Sequence, residues 1–572
     1  MRLPASIHVR ELLLLVGVGL ISFLPFLGAA PLFDWDEINF AESAREMIVS
    51  GNYFQVQIDF APFWEKPPLF IWLQVICMKL LGINEFAARL PNAIIGVFTL
   101  VMLFIEGTRM RDKRFGWLVT GFFFATILPF AYFKSGIIDP TFNFFIFLGI
   151  MQIIRHEKSR AAGENRWPRA PHWAGFWIGI ATLTKGPVAL LVTLLVYLSY
   201  KLIWDRRGIA WGAMLRFAAV FLLVIVTWFG GIILLTADGL ETVGKFIVYQ
   251  AELFSQDVAG HARPFYYHPL VFTFGCFPMA AFAYRGMGLR ASTAGERLDK
   301  RFMLAWFWVV MVLFSIVTTK IVHYSSLLYF PGAFLAARYF AAMLDGKRKA
   351  TWDIYALYGF GMLVFGLLMG SLPWIIAQLQ SGLATTGNHP PTDPNNLGYF
   401  WGAINADVTW TGWEALPGYL FFLVLAVNLY YLVQRRYRTW LLVQVVALPI
   451  YLNAVNVLVL PRIADHTQNT AVNFFREKAD EDVYLMVDGY KTYAHFFYGR
   501  RQPFPHPEIP VAERGAWLAR GPIDKPVYLV TKTLRGDIEG FSELWFPEFV
   551  QIGREGGFDF YLRKVPAAVP SP

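Results

Sequence analysis

The sequence predicts a mostly α, polytopic membrane protein carrying a small C-terminal extracytoplasmic α/β domain. Three observations predict it. Of 572 residues, 56% are hydrophobic, 17% aromatic and only 16% charged, whereas soluble domains average about 45–50% apolar and roughly 25% charged residues. Mean hydropathy is +0.44. Apolar runs of spanning length recur as far as residue 460, after which short β-rich runs take over.

The runs lie near residues 11–30, 90–108, 116–133, 140–154, 172–184, 186–204, 216–236, 266–284, 302–318, 325–345, 354–378, 414–434 and 440–460. The first has the basic start, apolar middle and small-residue end of a signal peptide. Its apolar stretch is about twenty residues, enough to span a bilayer, so it reads as a retained helix. "PPLFIWLQVICMKLLG", Pro67–Gly82, is short and carries Gln74 and Lys79, which suits an interfacial helix better than a span.

Parity supports leaving that segment out. The basic clusters "RMRDKR" (Arg109–Arg114), "DRR" (Asp205–Arg207), "GKRK" (Gly346–Lys349) and "QRRYR" (Gln434–Arg438) follow the positive-inside pattern. With Met1 cytoplasmic, about thirteen helices put every cluster inside and the C-terminus outside. The pair of runs over 172–204 is short for two crossings. The same clustering explains the net charge of +9 without a nucleic-acid partner. Two cysteines, Cys77 and Cys276, both in apolar stretches, exclude a disulfide framework or a CxxC site.

This divides the chain into a membrane domain, 1–460, with a first outer loop at 31–89, and an outer α/β domain, 461–572. In the latter, "DVYLMVDG", "PVYLVTKTL" and "FDFYLRKV" read as strands, "KTYAHFFYG" and "VAERGAWLARG" as short helices. No Gly-rich nucleotide fingerprint occurs in a strand–helix context. An outward-facing enzyme has no nucleotide to bind, so an activated substrate must arrive on a lipid.

The predicted topology gathers six stretches on the outer side: the first loop, Lys134–Asp139, Thr184–Pro187, Asp238–Pro264, Thr318–Ser326 and a loop at 380–413. Few ionisable residues interrupt the centres of the runs, as a transport path would require. "DWDEINFAESAREM" has helical apolar spacing and looks like a helix along the membrane with Asp36 near its N-cap. Asp36 and Glu37 suit capping alone, yet capping does not account for the aromatic surroundings. "FWEKPPLF" sets Glu65 and Lys66 between Trp64 and two prolines. They read as a surface ion pair or as an ammonium aimed at a lipid-linked phosphate.

"KSGIIDPTF" puts Asp139 at a helix start with Pro140 behind it. "LTKGPVA" places Lys185 in a tight outer turn, "GHARPFYYHP" supplies His261, Arg263 and His268, and "TTKIVHYSS" offers Lys320, His323 and Tyr324. An N-cap serves for Asp139 and an aromatic belt with interfacial cations for Arg263. Glu65 with His261 could hold a divalent metal, although two scattered ligands signal a metal weakly. Together, two acidic stretches and several cations at equivalent turns suggest a site for a phosphate-bearing amphiphile.

In this order the motifs resemble the polyprenyl- or dolichyl-phosphate-sugar-dependent glycosyltransferases of the GT-C class, whose signature is an acidic pair in the first outer loop, here Asp36–Glu37. Within that class the chain is most similar to the protein O-mannosyltransferase and lipid A aminoarabinose transferase group. "FWEKPP", "IIDP", "LTKG", "HARPFYY" and "KIVHY" match that group's motifs between residues 36 and 324. Asn39 and Phe40 stand where established aminoarabinose transferases carry Arg and Tyr two and three positions after the acidic pair. The departure puts the sugar in question more than the reaction.

The resemblance implies an inverting transferase of the bacterial inner membrane with a periplasmic site. It would move a sugar from undecaprenyl phosphate to an acceptor in or at the membrane, with no cofactor required. Asp36 is then the leading catalytic residue, supported by Glu37 and Asp139. Lys66, Lys185 and Arg263 would meet the leaving phosphate, with Lys320, His323 and Tyr324 behind them. Three functions remain open: modification of lipid A with aminoarabinose or a similar amino sugar, glycosylation of a protein or other glycan, and a non-enzymatic lipid transporter.

Overall fold

The computed structural model describes the chain apart from residues 1–3, 35, 165, 206, 237, 256–262, 386–407, 534–544 and 566–572. Every one of the thirteen apolar runs forms helix. α1 spans Val9–Phe23. After the first loop come α4 (Glu85–Met110), α5 (Lys113–Phe124), α6 (Ile127–Tyr132), α7 (Asp139–Ala161), α8 (Ala170–Lys185), α9 (Val188–Trp204) and α10 (Trp211–Leu235). α12 (Tyr267–Leu270), α13 (Met279–Gly288), α14 (Ala294–Ile316), α15 (Tyr329–Leu344), α16 (Trp352–Gly361) and α17 (Met369–Thr385) follow. α18 (Leu416–Val433) and α19 (Tyr437–Ala454) complete the set, and a π-helical turn, Val455–Val459, leads into α20 (Leu460–Thr467).

Among the described residues, six helices are long and apolar enough to cross a membrane, or seven if the pair Tyr267–Gly275 and Met279–Gly288, bent by 110°, makes one span. The protein is therefore multi-pass. Aromatic rings knit the bundle: Phe122 of α5, Phe282 of α13 and Phe340 of α15 meet Trp440 of α19 at centroid separations of 6.1, 5.1 and 5.4 Å. α13 and α15 touch so closely that a Cβ on Gly286 would stand 1.9 Å from the Leu335 carbonyl oxygen. Only glycine fits there.

The first loop folds into α2 (Asp36–Ser50), a hairpin of β1 (Gln57–Ile58) and β2 (Ala61–Pro62), and α3 (Leu69–Leu81). α3 has 13 residues, about 20 Å at 1.5 Å per residue, too short for a 30 Å hydrocarbon core. α2 forms where its spacing predicts, but it is not an open surface helix: Ile38 and every residue from Phe40 to Met47 are buried. Its apolar side joins Phe70, Ile71 and Val75 of α3 and, on the other flank, Phe475, Leu485, Val530 and Phe560 in one cluster.

Those last residues belong to the C-terminal layer. After α21 (Asn469–Glu477), strands β3 (Tyr484–Asp488), β4 (Val527–Lys532), β5 (Val550–Glu555) and β6 (Phe558–Arg563) form one sheet in the order β3-β4-β6-β5. β3 and β4 run parallel, Tyr484 opposite Val527. β4–β6 and β6–β5 are antiparallel. α22 (Ala494–Phe497) and α23 (Val511–Arg520) occupy the predicted helical stretches. β5 escapes the sequence pattern because all six of its residues are exposed, so no alternation marks it. The expected loop at Asp238–Pro264 holds a 17-residue helix, α11 (Gly239–Ser255). Its polar content hides an apolar stripe at Leu240, Val243, Phe246 and Ile247. The stretch 386–407 of the expected 380–413 loop lies outside the described residues.

Candidate active site

Asp36 is the first residue of α2, and its carboxylate is the most open one here, with a side-chain exposure of 32%. One oxygen lies 3.3 Å from Nε2 of His323. That imidazole projects from a 3₁₀ turn, Val322–Leu328, which runs directly into α15. The same nitrogen is 3.7 Å from Oδ2 of Asp139. Asp139 begins α7 ahead of Pro140 and is 2% exposed. Its other oxygen accepts from Nζ of Lys185 at 2.6 Å. Lys185 closes α8, and the next residue, Gly186, turns the chain with φ 104°. Its ammonium also sits 4.9 Å over the Tyr324 ring. Four segments, remote in sequence, thus bring two carboxylates, an imidazole and an ammonium together.

Polar side chains lock these turns to one another. Asn92 of α4 donates to the carbonyls of Ser135 and Ile137 and accepts from Thr141. Asn143 donates to Ser326 at 2.6 Å. Glu37 points the other way. Burial alone would push its carboxyl up; the Arg89 guanidinium and the backbone N–H groups of Gly136 and Phe33 more than offset that and hold it below the usual range. Arg89 grips both Glu37 oxygens and the carbonyls of Leu27, Ala30 and Pro31.

Glu65 and Lys66 follow the hairpin. Lys66 is half-buried, with its ammonium 5.9 Å over the ring of Tyr249 on α11. Burial pulls its pKa down; Glu65, Asp36 and Asp139 oppose that, while Lys185 adds to it. Lys66 therefore lies in the field of the Asp36 cluster. Tyr249 hydrogen-bonds Glu65. Beside Asp36 opens a cavity of about 560 Å³. Its lining includes the polar Asp34, Arg89, Lys134 and His323 and the apolar Leu128, Leu452, Val455 and Leu460. Such a cavity suits an amphiphile with a charged head.

The structure thus gathers Asp36, Asp139, Lys185, His323, Tyr324, Lys66 and Glu65, and sets Glu37 just behind. Two predicted cations stand apart. Lys320 is buried and donates to the carbonyl of Val317 at 2.7 Å. Arg263 is exposed, its charge acting on Tyr267. His261 lies outside the described residues. Among the described residues no group of three or more His, Cys, Asp or Glu is arranged to hold a metal.

Sequence reasoning passes over Arg89, Lys134 and Tyr249. Arg89 is marked only as a lone charge at the mouth of an apolar run. Lys134, with its pKa drawn down to about 7 by burial and the Arg89 charge, donates to the carbonyls of Phe23 and Pro25. Tyr249 sits in a stretch read as loop.

Residues 24–237 match the family model described as dolichyl-phosphate-mannose-protein mannosyltransferase, a range that includes Asp36, Lys66, Asp139 and Lys185. Curated relatives include an undecaprenyl phosphate-alpha-4-amino-4-deoxy-L-arabinose arabinosyl transferase from Proteus mirabilis, 24% identical over 61% of this chain and 62% of that one. One from Sodalis glossinidius is 26% identical over 62% and 64%. The chain thus spans under two thirds of the length of these relatives. Across the whole fold it superposes on ArnT from Cupriavidus metallidurans bound to undecaprenyl phosphate, with TM-score 0.72, 17% identity and coverage of 99% and 100%. The apo form of that protein gives 0.70 at 19% identity, covering 97% of this chain and 98% of that one. The chain is thus similar in sequence to these mannosyltransferases and aminoarabinose transferases, and it shares the fold of ArnT over its whole length.

Proposed function

We propose that this protein is an inverting glycosyltransferase of the bacterial inner membrane. It moves 4-amino-4-deoxy-L-arabinose, or a similar amino sugar, from undecaprenyl phosphate to a lipid A phosphate at the periplasmic face. The observation that carries this reading is the meeting of Asp36, Asp139, Lys185 and His323 beside a cavity lined by both charged and apolar side chains, with Lys66 in their field. The activities for which the curated relatives are named agree with it.

The chemistry follows from what each group has to spare. Asp139 is buried and already neutralised by Lys185, so it fixes that ammonium rather than meeting substrate. Asp36 is the carboxylate open enough to touch a sugar. A phosphate monoester acceptor is largely ionised at neutral pH, its second pKa being about 6. With that acceptor Asp36 orients the sugar, binds its amine, and stabilises positive charge at the anomeric carbon. The departing lipid phosphate gains negative charge as the bond breaks, and Lys66 and Lys185 are poised to meet it. Glu37, saturated by Arg89, holds the start of α2 in place. The thirteen-crossing topology, with residues 461–572 as an outer domain, belongs to this reading. A divalent ion at Glu65 and His261 would be an addition to it, not a requirement.

A second reading keeps the donor and changes the acceptor to a protein or glycan hydroxyl. The protein mannosyltransferase match and the Asn39–Phe40 departure favour it, and Asp36 would then remove the hydroxyl proton. Mass spectrometry of lipid A from cells with and without this protein separates the two. A pentosamine-sized mass shift that depends on the protein supports the first reading. An unchanged lipid A profile refutes it and moves the acceptor to a protein or glycan.

A further inference from the structure

β1 and β2 pair with Ile58 opposite Ala61, leaving a two-residue turn in which Asp59 has φ 58° and Phe60 φ 55°. Two left-handed residues in sequence fit a type I′ hairpin, a turn that favours Asn-Gly or Asp-Gly. Phenylalanine is a poor residue for its second position. The turn is held from both sides. Beneath it, Glu46 of α2 accepts the N–H groups of Asp59 and Phe60 at 2.7 and 2.8 Å. Above it, two arginines of the C-terminal layer close on Asp59. Arg501 Nε lies 2.9 Å from one carboxylate oxygen, and Arg514 Nη1 lies 2.9 Å from the other and 3.0 Å from the Asp59 carbonyl. Arg45 of α2 donates to the Arg501 carbonyl at 2.7 Å.

The hairpin leads without slack into the candidate site. Phe63 N–H still bonds the Val56 carbonyl at 2.7 Å, and Lys66 is three residues on. The same layer grips the chain just before Asp36. The Tyr498 hydroxyl accepts the Leu32 N–H at 2.8 Å. Gln468 accepts from Asp34 N–H and donates to the Leu32 carbonyl, and Thr492 donates to the Asp34 carboxylate. Both substrate-facing residues of the first loop therefore follow directly from segments pinned by the C-terminal layer.

We infer that Arg501 and Arg514 are positioning residues: by clamping Asp59 they hold a disfavoured turn, and the turn sets Lys66 against the lipid phosphate. This rests on the donor reading above and gives the C-terminal layer a role in it. The tests are Arg514→Ala, Arg514→Lys, and Arg514→Ala combined with Phe60→Gly, which makes the left-handed turn intrinsically favourable. Two readouts are taken on the full-length purified protein: amide hydrogen exchange over residues 57–66 and binding of undecaprenyl phosphate.

Arg514→Ala should speed exchange across 57–66 and weaken binding roughly tenfold, the weakening expected from losing about one hydrogen bond to a charged group. Arg514→Lys should recover part of both effects, and Phe60→Gly should restore both in the Arg514→Ala background. A merely structural loss would not be rescued at the turn. Wild-type exchange and binding in Arg514→Ala, or no rescue by Phe60→Gly, overturns the inference. If the wild type binds no undecaprenyl phosphate, the donor reading fails while the exchange data still decide whether the arginines hold the turn.

Discussion

Replacing Arg89 with methionine should be among the most damaging single changes in the first loop and its surroundings. Arg89 is 4% exposed and makes two hydrogen bonds to Glu37 and three to backbone carbonyls. Methionine fills similar space but leaves Glu37 a buried carboxylate without its countercharge. Breaking one side of such a pair costs about 3–5 kcal/mol, before counting the three carbonyls. A cycle of Arg89→Met, Glu37→Gln and the double variant, read by denaturant titration in detergent, measures it. The double variant should be less destabilised than the sum of the singles, because it no longer buries a lone charge. The pH dependence has a definite sign. Glu37 has a depressed pKa, so its stabilisation is present above the ordinary carboxylate range and is lost as pH falls through the folded value. In Arg89→Met burial is no longer offset, so the sign should reverse: the Glu37 carboxyl is pushed above its ordinary range, and stability falls as pH rises through that range. A stability within about 0.5 kcal/mol of wild type, or strict additivity, would refute the reasoning.

Lys185→Met strands Asp139 in the same way, since Asp139 is buried and Lys185 lies 2.6 Å away. Adding Asp139→Asn should recover stability but not undecaprenyl phosphate binding, measured by calorimetry. Glu46 gives an alkaline signature: burial and the neighbouring Glu42 push its carboxyl up to about 9. Its contribution is complete below the usual carboxylate pKa and declines as pH rises to about 9. Glu46→Gln should flatten that stretch of the melting-temperature profile; an unchanged slope would contradict the assignment.

Much of this molecule is legible in its sequence, for identifiable reasons. Long apolar runs have little choice but helix in lipid, because every backbone group must be satisfied internally. Strands β3, β4 and β6 show because each is β-rich and half or wholly buried. β5 is exposed throughout and carries no pattern. The turns bearing Asp36, Asp139, Lys185 and His323 are visible as charges at the ends of apolar runs. Their contacts with one another are not, since Asp139 and His323 are separated by eight helices' worth of chain and meet only through tertiary packing.

The burial of α2 was hidden for a related reason. By residue type alone Glu42, Arg45 and Glu46 suit a solvated face; Glu42 and Arg45 pair with each other, while Arg45 also reaches Arg501 of a distant layer and Glu46 reaches Asp59 of the hairpin. Arg89 gave no signal because a lone arginine at a helix mouth looks the same whether it faces headgroups or a carboxylate. Lys320 shows the converse. Its motif predicts a phosphate contact, and the fold turns its ammonium to a carbonyl instead.

The central claim is that Asp36 performs chemistry at a site whose lipid phosphate is held by other groups. Asp36→Asn keeps the shape of the side chain and removes its charge. With reconstituted protein, a polyprenyl-phosphate-linked aminoarabinose donor and lipid A, the account predicts no transfer by this variant and donor binding close to wild type. Transfer at the wild-type rate would contradict it.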